Sequence, residues 1–225
     1  MNAYKSIAAG AVFVSALLAG CGGGGGGTVS VATFPLDSGA QSFLTSSHHF
    51  TANYTDPAKG DLYTLEYSYT PGADASFERQ AAKTANLALN LQKNSTQQLT
   101  SSEVIYFQTG PVKFLGATGS GEYVVASNQV PFPVSGKIGD SGNLDTKISY
   151  SDSSKTAIKR TEVDTWVLQP ADSATTAYLC MTTTIANPNG ITISGSECYK
   201  INTSGTVLGN KLILTVNGLS ITFSS

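Results

Sequence analysis

Ser141, His48 and His49 are the residue types of nucleophilic catalysis. That chemistry needs a hydroxyl deprotonated by an imidazole, which a buried carboxylate in turn orients. Ser141 stands in the run Gly139-Asp140-Ser141-Gly142, which is also ordinary turn chemistry between strands, and the turn is the favoured reading. His48 and His49 are adjacent, so on an extended segment over 47–54 their side chains point to opposite faces and cannot share one ion. The chain has no third histidine, leaving only carboxylates to complete a zinc site. No metal or cofactor is therefore expected. Asp140, Asn143 and Asp145 offer oxygen ligands for a calcium loop but lack the fuller ligand pattern of a dedicated site.

The run 139–142 resembles the nucleophile loop of chymotrypsin-like serine proteases, a β fold whose base histidine also lies upstream of its serine. The resemblance implies a serine hydrolase with Ser141 as nucleophile and His48 or His49 as base. Asn143 follows where that family has glycine, and the histidines follow Ser46-Ser47 and precede Phe50 where the family has a small residue and a cysteine. Asn143 also breaks the Gly-x-Ser-x-Gly elbow of other hydrolases. Ser141 is thus a weak catalytic candidate.

Two other features concern recognition and bonding. Tyr63, Tyr67 and Tyr69 alternate along 62–70 with Leu65 among them and Thr64, Glu66, Ser68 and Thr70 on the other face. Such a stripe serves as an aromatic platform for sugar or another ligand, or as the buried face of a β core, which is the favoured reading. Cys180 and Cys198 flank the turn sequence Asn187-Pro188-Asn189-Gly190. A hairpin centred near residue 189 sets them opposite each other on neighbouring strands, within disulfide reach. A Cys180–Cys198 bond is expected in an oxidising compartment.

The elements that must position these residues read as antiparallel β. Short alternating runs are separated by glycine, proline, asparagine and serine over 103–109, 112–116, 122–127, 145–151, 159–168, 175–185 and 191–201. Residues 211–216 and 219–224 flank Asn217-Gly218, a two-residue hairpin turn. Residues 75–83 have room for a helical turn or two, with 84 onward extended. The expected fold class is all-β, an antiparallel sandwich or barrel of roughly eleven strands. Gly60-Asp61-Leu62-Tyr63-Thr64 echoes Gly142-Asn143-Leu144-Asp145-Thr146, and Glu103 with Phe107 echoes Glu162 with Trp166. Two related β units, 35–130 and 134–225, would meet near Val130-Pro131-Phe132-Pro133.

The chain has 225 residues, 12% of them charged, with 13 lysines and arginines against 15 acids. No basic field exists to hold nucleic acid. Lys5 precedes twelve mostly apolar residues, too few to span a bilayer, which takes about 20. The stretch ends in Leu18-Ala19-Gly20-Cys21, which resembles the lipobox of bacterial lipoproteins. The resemblance implies a signal peptide over 1–20, cleavage before Cys21, and a mature chain acylated on that cysteine. Gly22, where enteric lipoproteins kept in the inner membrane carry aspartate, implies the outer membrane. Six glycines follow, Gly22 to Gly27; lacking side chains to bury, they make residues 21–34 a tether.

The function expected from these readings is a lipid-anchored envelope lipoprotein whose body, 35–225, binds a ligand or envelope protein or serves envelope structure without catalysis. The alternatives are a serine hydrolase using Ser141 and a carbohydrate- or ligand-binding module on the tyrosine face. A transmembrane barrel also uses alternating strands, but an acylated tether would be redundant for it.

Overall fold

The computed structural model describes residues 32–186, 192–216 and 219–224. The leader, Cys21, the glycine run and both hairpin turn sequences, 187–190 and 217–218, lie outside the described residues.

Leu36, Ala40 and Phe43 recur at helical spacing, and this apolar stripe is buried in a helix, α1 (Leu36–Leu44). Pro35 sits at its N-cap and Asp37 in its first turn, where an acid suits the helix dipole. The sequence reading held no helix here. Period-two alternation accounts for the rest: β1 (His48–Thr55), β2 (Leu62–Pro71), β3 (Ala75–Phe77), β4 (Gln80–Lys93), β5 (Thr96–Gln108), β6 (Lys113–Gly119) and β7 (Glu122–Ser127). After a connection through 128–140 come β8 (Ser141–Tyr150), β9 (Ile158–Pro170), β10 (Thr176–Ala186), β11 (Thr192–Asn202), β12 (Val207–Val216) and β13 (Leu219–Ser224).

Residues 75–83 are a hairpin, not helical. Glu78 and Arg79 take φ of 48° and 64°, and Phe77 pairs with Gln80. Two successive left-handed residues are what a two-residue hairpin turn demands.

Twelve strands pair in sequential order, all antiparallel, with β3 attached only to β4. The two ends of the sheet, β1 and β13, come together, so the fold is an all-β, nearly closed barrel. An even strand number lets first and last strands meet antiparallel. The β7–β8 ladder continues the sheet across residue 130, so 35–130 and 134–225 share one sheet. Nor does the sequence echo map onto equivalent elements. β2 and β5 run in the same direction with β4 between them, whereas β8 and β9 are antiparallel neighbours.

Tyr67 and Tyr69 are almost wholly buried and Leu65, before them on the same face, fully so, while Glu66 and Thr70 on the opposite face are exposed. The stripe faces the interior, so it offers no platform on the outside. Cys180 pairs with Cys198 in the β10–β11 register, and the two are disulfide-bonded.

Candidate functional site

The strand ends define two mouths, because an up-and-down meander puts alternate connections at alternate ends. One end is plugged by α1. Phe43 stacks on Tyr199 at 3.6 Å between ring centroids and on His48 at 4.1 Å, and the Tyr69 hydroxyl donates to the Leu44 carbonyl at 3.0 Å. The Val112 N–H donates to Asp37 at 2.8 Å, and Phe34 bridges Gly136 in the β7–β8 connection. At the other mouth lie the tight hairpins, among them Asn94-Ser95 and Ser120-Gly121.

Between the mouths is a cavity of about 530 Å³, within the size range of small-molecule sites. Exposed Gln98 and Val130 are part of its lining, which connects it with solvent. One wall is the leucine row of β4, Leu87, Leu89 and Leu91. Five places away round the twelve-strand order, β9 presents Arg160, Glu162 and Asp164 to the same space. Along β9 the inward positions change from charged near the open mouth to Trp166 and Leu168 near the plug. Val163, between Glu162 and Asp164, faces out and is 42% exposed.

A β-bulge sets the opposing residues of β8. Gly142 pairs with Trp166, Asn143 with Thr165, and then Asp145 with Asp164, leaving Leu144 without a partner. The extra residue resets the alternation, so Leu144 and Asp145 are both buried and Lys147 follows on the inner face. Asp145 and Asp164 are 6% and 7% exposed, and one oxygen of each, Oδ1, has no hydrogen-bond partner. The Lys147 ammonium bonds the other Asp164 oxygen and lies 4.1 Å from the Phe114 ring centre. Arg160 is bonded to Glu122 and, at 2.6 Å, to Glu162. Across the lumen, the Tyr67 hydroxyl donates to Glu197 on β11.

Burial governs the protonation of these groups. Desolvation, reinforced by Asp164 and only partly offset by Lys147, pushes the Asp145 carboxyl up to about 7. Desolvation also raises Glu197, against the opposing hydrogen bond from Tyr67, and raises Glu103 on β5, against one from Ser101. Burial favours neutral Lys147, but Asp164 and Asp145 outweigh it and hold the ammonium above its usual range. The lumen thus holds fixed cations already bonded to carboxylates, alongside acids that burial makes reluctant to ionise.

The hydrolase candidates do not converge here. Ser141 is exposed at the start of β8, in register with Val167 on the outer face. His48 and His49 are on β1, six places away in a ring of twelve, the far side of the barrel. His48 bonds the Phe43 carbonyl through Nε2 at 2.9 Å and is stacked on Phe43, while His49 faces out and is exposed. The Asp140 carboxylate accepts the Lys137 N–H at 2.8 Å within its own turn. The oxygens of Asp140, Asn143 and Asp145 are likewise divided: one in the turn, one on the exposed face, one in the lumen.

Of the lumen carboxylates, the sequence reading singled out only Asp145, and that for calcium. A signal for Glu162 and Asp164 exists in 160–164, where charged residues alternate with Thr161 and Val163 in the phase that Trp166 and Leu168 continue. No family model matches the chain, and no curated protein or solved structure does either.

Proposed function

We propose that the protein is a lipid-anchored cell-envelope lipoprotein whose barrel binds a small ligand in its lumen without catalysing a reaction. The lipobox and glycine tether support the anchor, and Gly22 supports the outer membrane as its location. The observation that carries the binding role is the solvent-connected cavity, with a leucine wall and buried carboxylate oxygens that lack partners. A barrel built only for mechanical strength gains nothing from an unfilled interior, since voids forfeit packing. The exposed position of Ser141, across the barrel from both histidines, lends no support to the hydrolase reading.

The test of the binding role is fluorescence titration of the full chain with Nile red, a neutral apolar dye, after subtraction of a protein-free blank. Saturable binding is expected. Leu89→Trp, which fills space beside the leucine wall, should weaken it on the order of tenfold. No saturable binding, or binding indifferent to Leu89→Trp, would count against the lumen as the site. The anchor is tested separately: Cys21→Ala should block maturation and release the chain from membranes, and unchanged processing would remove that part of the proposal.

A further inference from the structure

Resting on the lumen-binding reading, we propose that the ligand is an amphiphile with a protonated amine: its apolar body lies against Leu87, Leu89 and Leu91, and its ammonium is held by Asp145, Asp164 and Glu197.

Acidic and basic side chains of the cavity are unevenly matched in number. Its lining contains Glu103, Asp145, Glu162, Asp164 and Glu197 against Lys113, Lys147 and Arg160. Lys147 is committed to Asp164 and Arg160 to Glu162 and Glu122. Among the described residues, Glu103, Asp145 and Glu197 take part in no salt bridge. Lys113, at the start of β6, is the remaining cation of the lining.

Acidic excess alone does not make a site. What points to a ligand is that Asp145 and Asp164 both line the cavity and each keeps one buried oxygen, Oδ1, without a donor. Buried acceptors are ordinarily satisfied, and two opposed carboxylates are costly to hold together unless a cation or a donor sits between them. An ammonium supplies three donors and one charge, which suits two orphaned oxygens plus the carboxylate of Glu197, which lines the same cavity from β11, two places from β9 in the sheet order. A carboxylate or phosphate head would meet the same atoms as a repelled acceptor. The opposite wall fixes the rest of the ligand, because the leucine row offers only apolar contact. The volume, about 530 Å³, admits a small amphiphile and excludes a folded partner.

The experiment compares three probes of one tail length on the full chain by isothermal titration at pH 7.5: octylamine, octanol and octanoate, with a carrier blank subtracted. Octylamine is expected to bind about tenfold or more tighter than octanol, the strength of charge-assisted hydrogen bonds over neutral ones. Octanoate is expected to bind weakest. Asp145→Asn and Glu197→Gln, both close in size to the native side chains, should each narrow the gap between amine and alcohol. If octanol or octanoate matches octylamine in the wild-type chain, the amine assignment is overturned and the lumen-binding reading stands. If none of the three binds, both fall. A preference for the amine that survives both substitutions would overturn the assignment of these carboxylates.

Discussion

Asp145 and Asp164 stand directly opposite each other across the β8–β9 ladder, inside the barrel, and the Lys147 ammonium is bonded to Asp164. Like charges directly opposed on one face of an antiparallel pair destabilise it. The burial and repulsion that lift the Asp145 carboxyl to about 7 therefore tie stability to pH.

In the unfolded chain that carboxyl titrates near the ordinary aspartate value of about 4. Between there and its folded value, the folded state binds more protons. The stability contributed by protonated Asp145 is thus full below about pH 4 and lost as pH rises through about 7. Asp145→Asn should flatten this dependence and, at pH 8, be more stable than wild type by about 1 kcal/mol. Urea midpoints of both chains at pH 5 and pH 8 check it; parallel pH slopes would contradict it.

The disulfide joins facing residues of neighbouring strands, with 18 residues of sequence separation. Closing a loop of this size restricts the unfolded chain and contributes on the order of 3 kcal/mol. The double variant Cys180→Ala/Cys198→Ala should lose about that much in denaturant unfolding. Thiol titration of unfolded, unreduced protein should find neither Cys180 nor Cys198 free.

Gly142 faces Trp166, and a Cβ added there would come within 2.8 Å of the indole Nε1. Gly142→Val must therefore displace the ring, at a cost of roughly 1–3 kcal/mol. Trp166 is the sole tryptophan and is 5% exposed, so its emission reports the change directly. A red shift with lowered stability is expected; an unshifted spectrum would mean that the ring accommodates the side chain.

Phe43 wedges the plug into the barrel by stacking on Tyr199 and His48. Phe43→Ala should destabilise the fold by about 3–5 kcal/mol. Because Phe43 also lines the cavity, the variant should take up larger apolar dyes than wild type does. Faster hydrogen exchange over residues 36–45 would locate the loosening at α1.

Much of this architecture is legible in the residues because it depends on neighbours along the chain. Tyr63, Leu65, Tyr67 and Tyr69 sit on one face for reasons of backbone pleating alone, and the burial of Leu65, Tyr67 and Tyr69 follows. The disulfide follows from counting back from one turn. Less legible was α1: at nine residues, it is too short to hold without the barrel mouth that receives Phe43. The hairpin over 75–83 was misread because Glu78 and Arg79 are not the residues usually found at left-handed turn positions.

The sequence by itself determined two faces for each strand, the opposition of Cys180 to Cys198, and an apolar leader ending at a cysteine. It did not determine which side of β8 Asp145 occupies. Simple alternation from Gly142 would turn Asp145 outward, and only the bulge at Leu144 brings it in opposite Asp164. A bulge is settled by which ladder bonds a strand can make with its neighbours, and those neighbours are in place only when the sheet has curled round on itself. The same closure sets the leucines of β4 across from the acids of β9, a juxtaposition that strands so distant in order acquire only through three-dimensional structure.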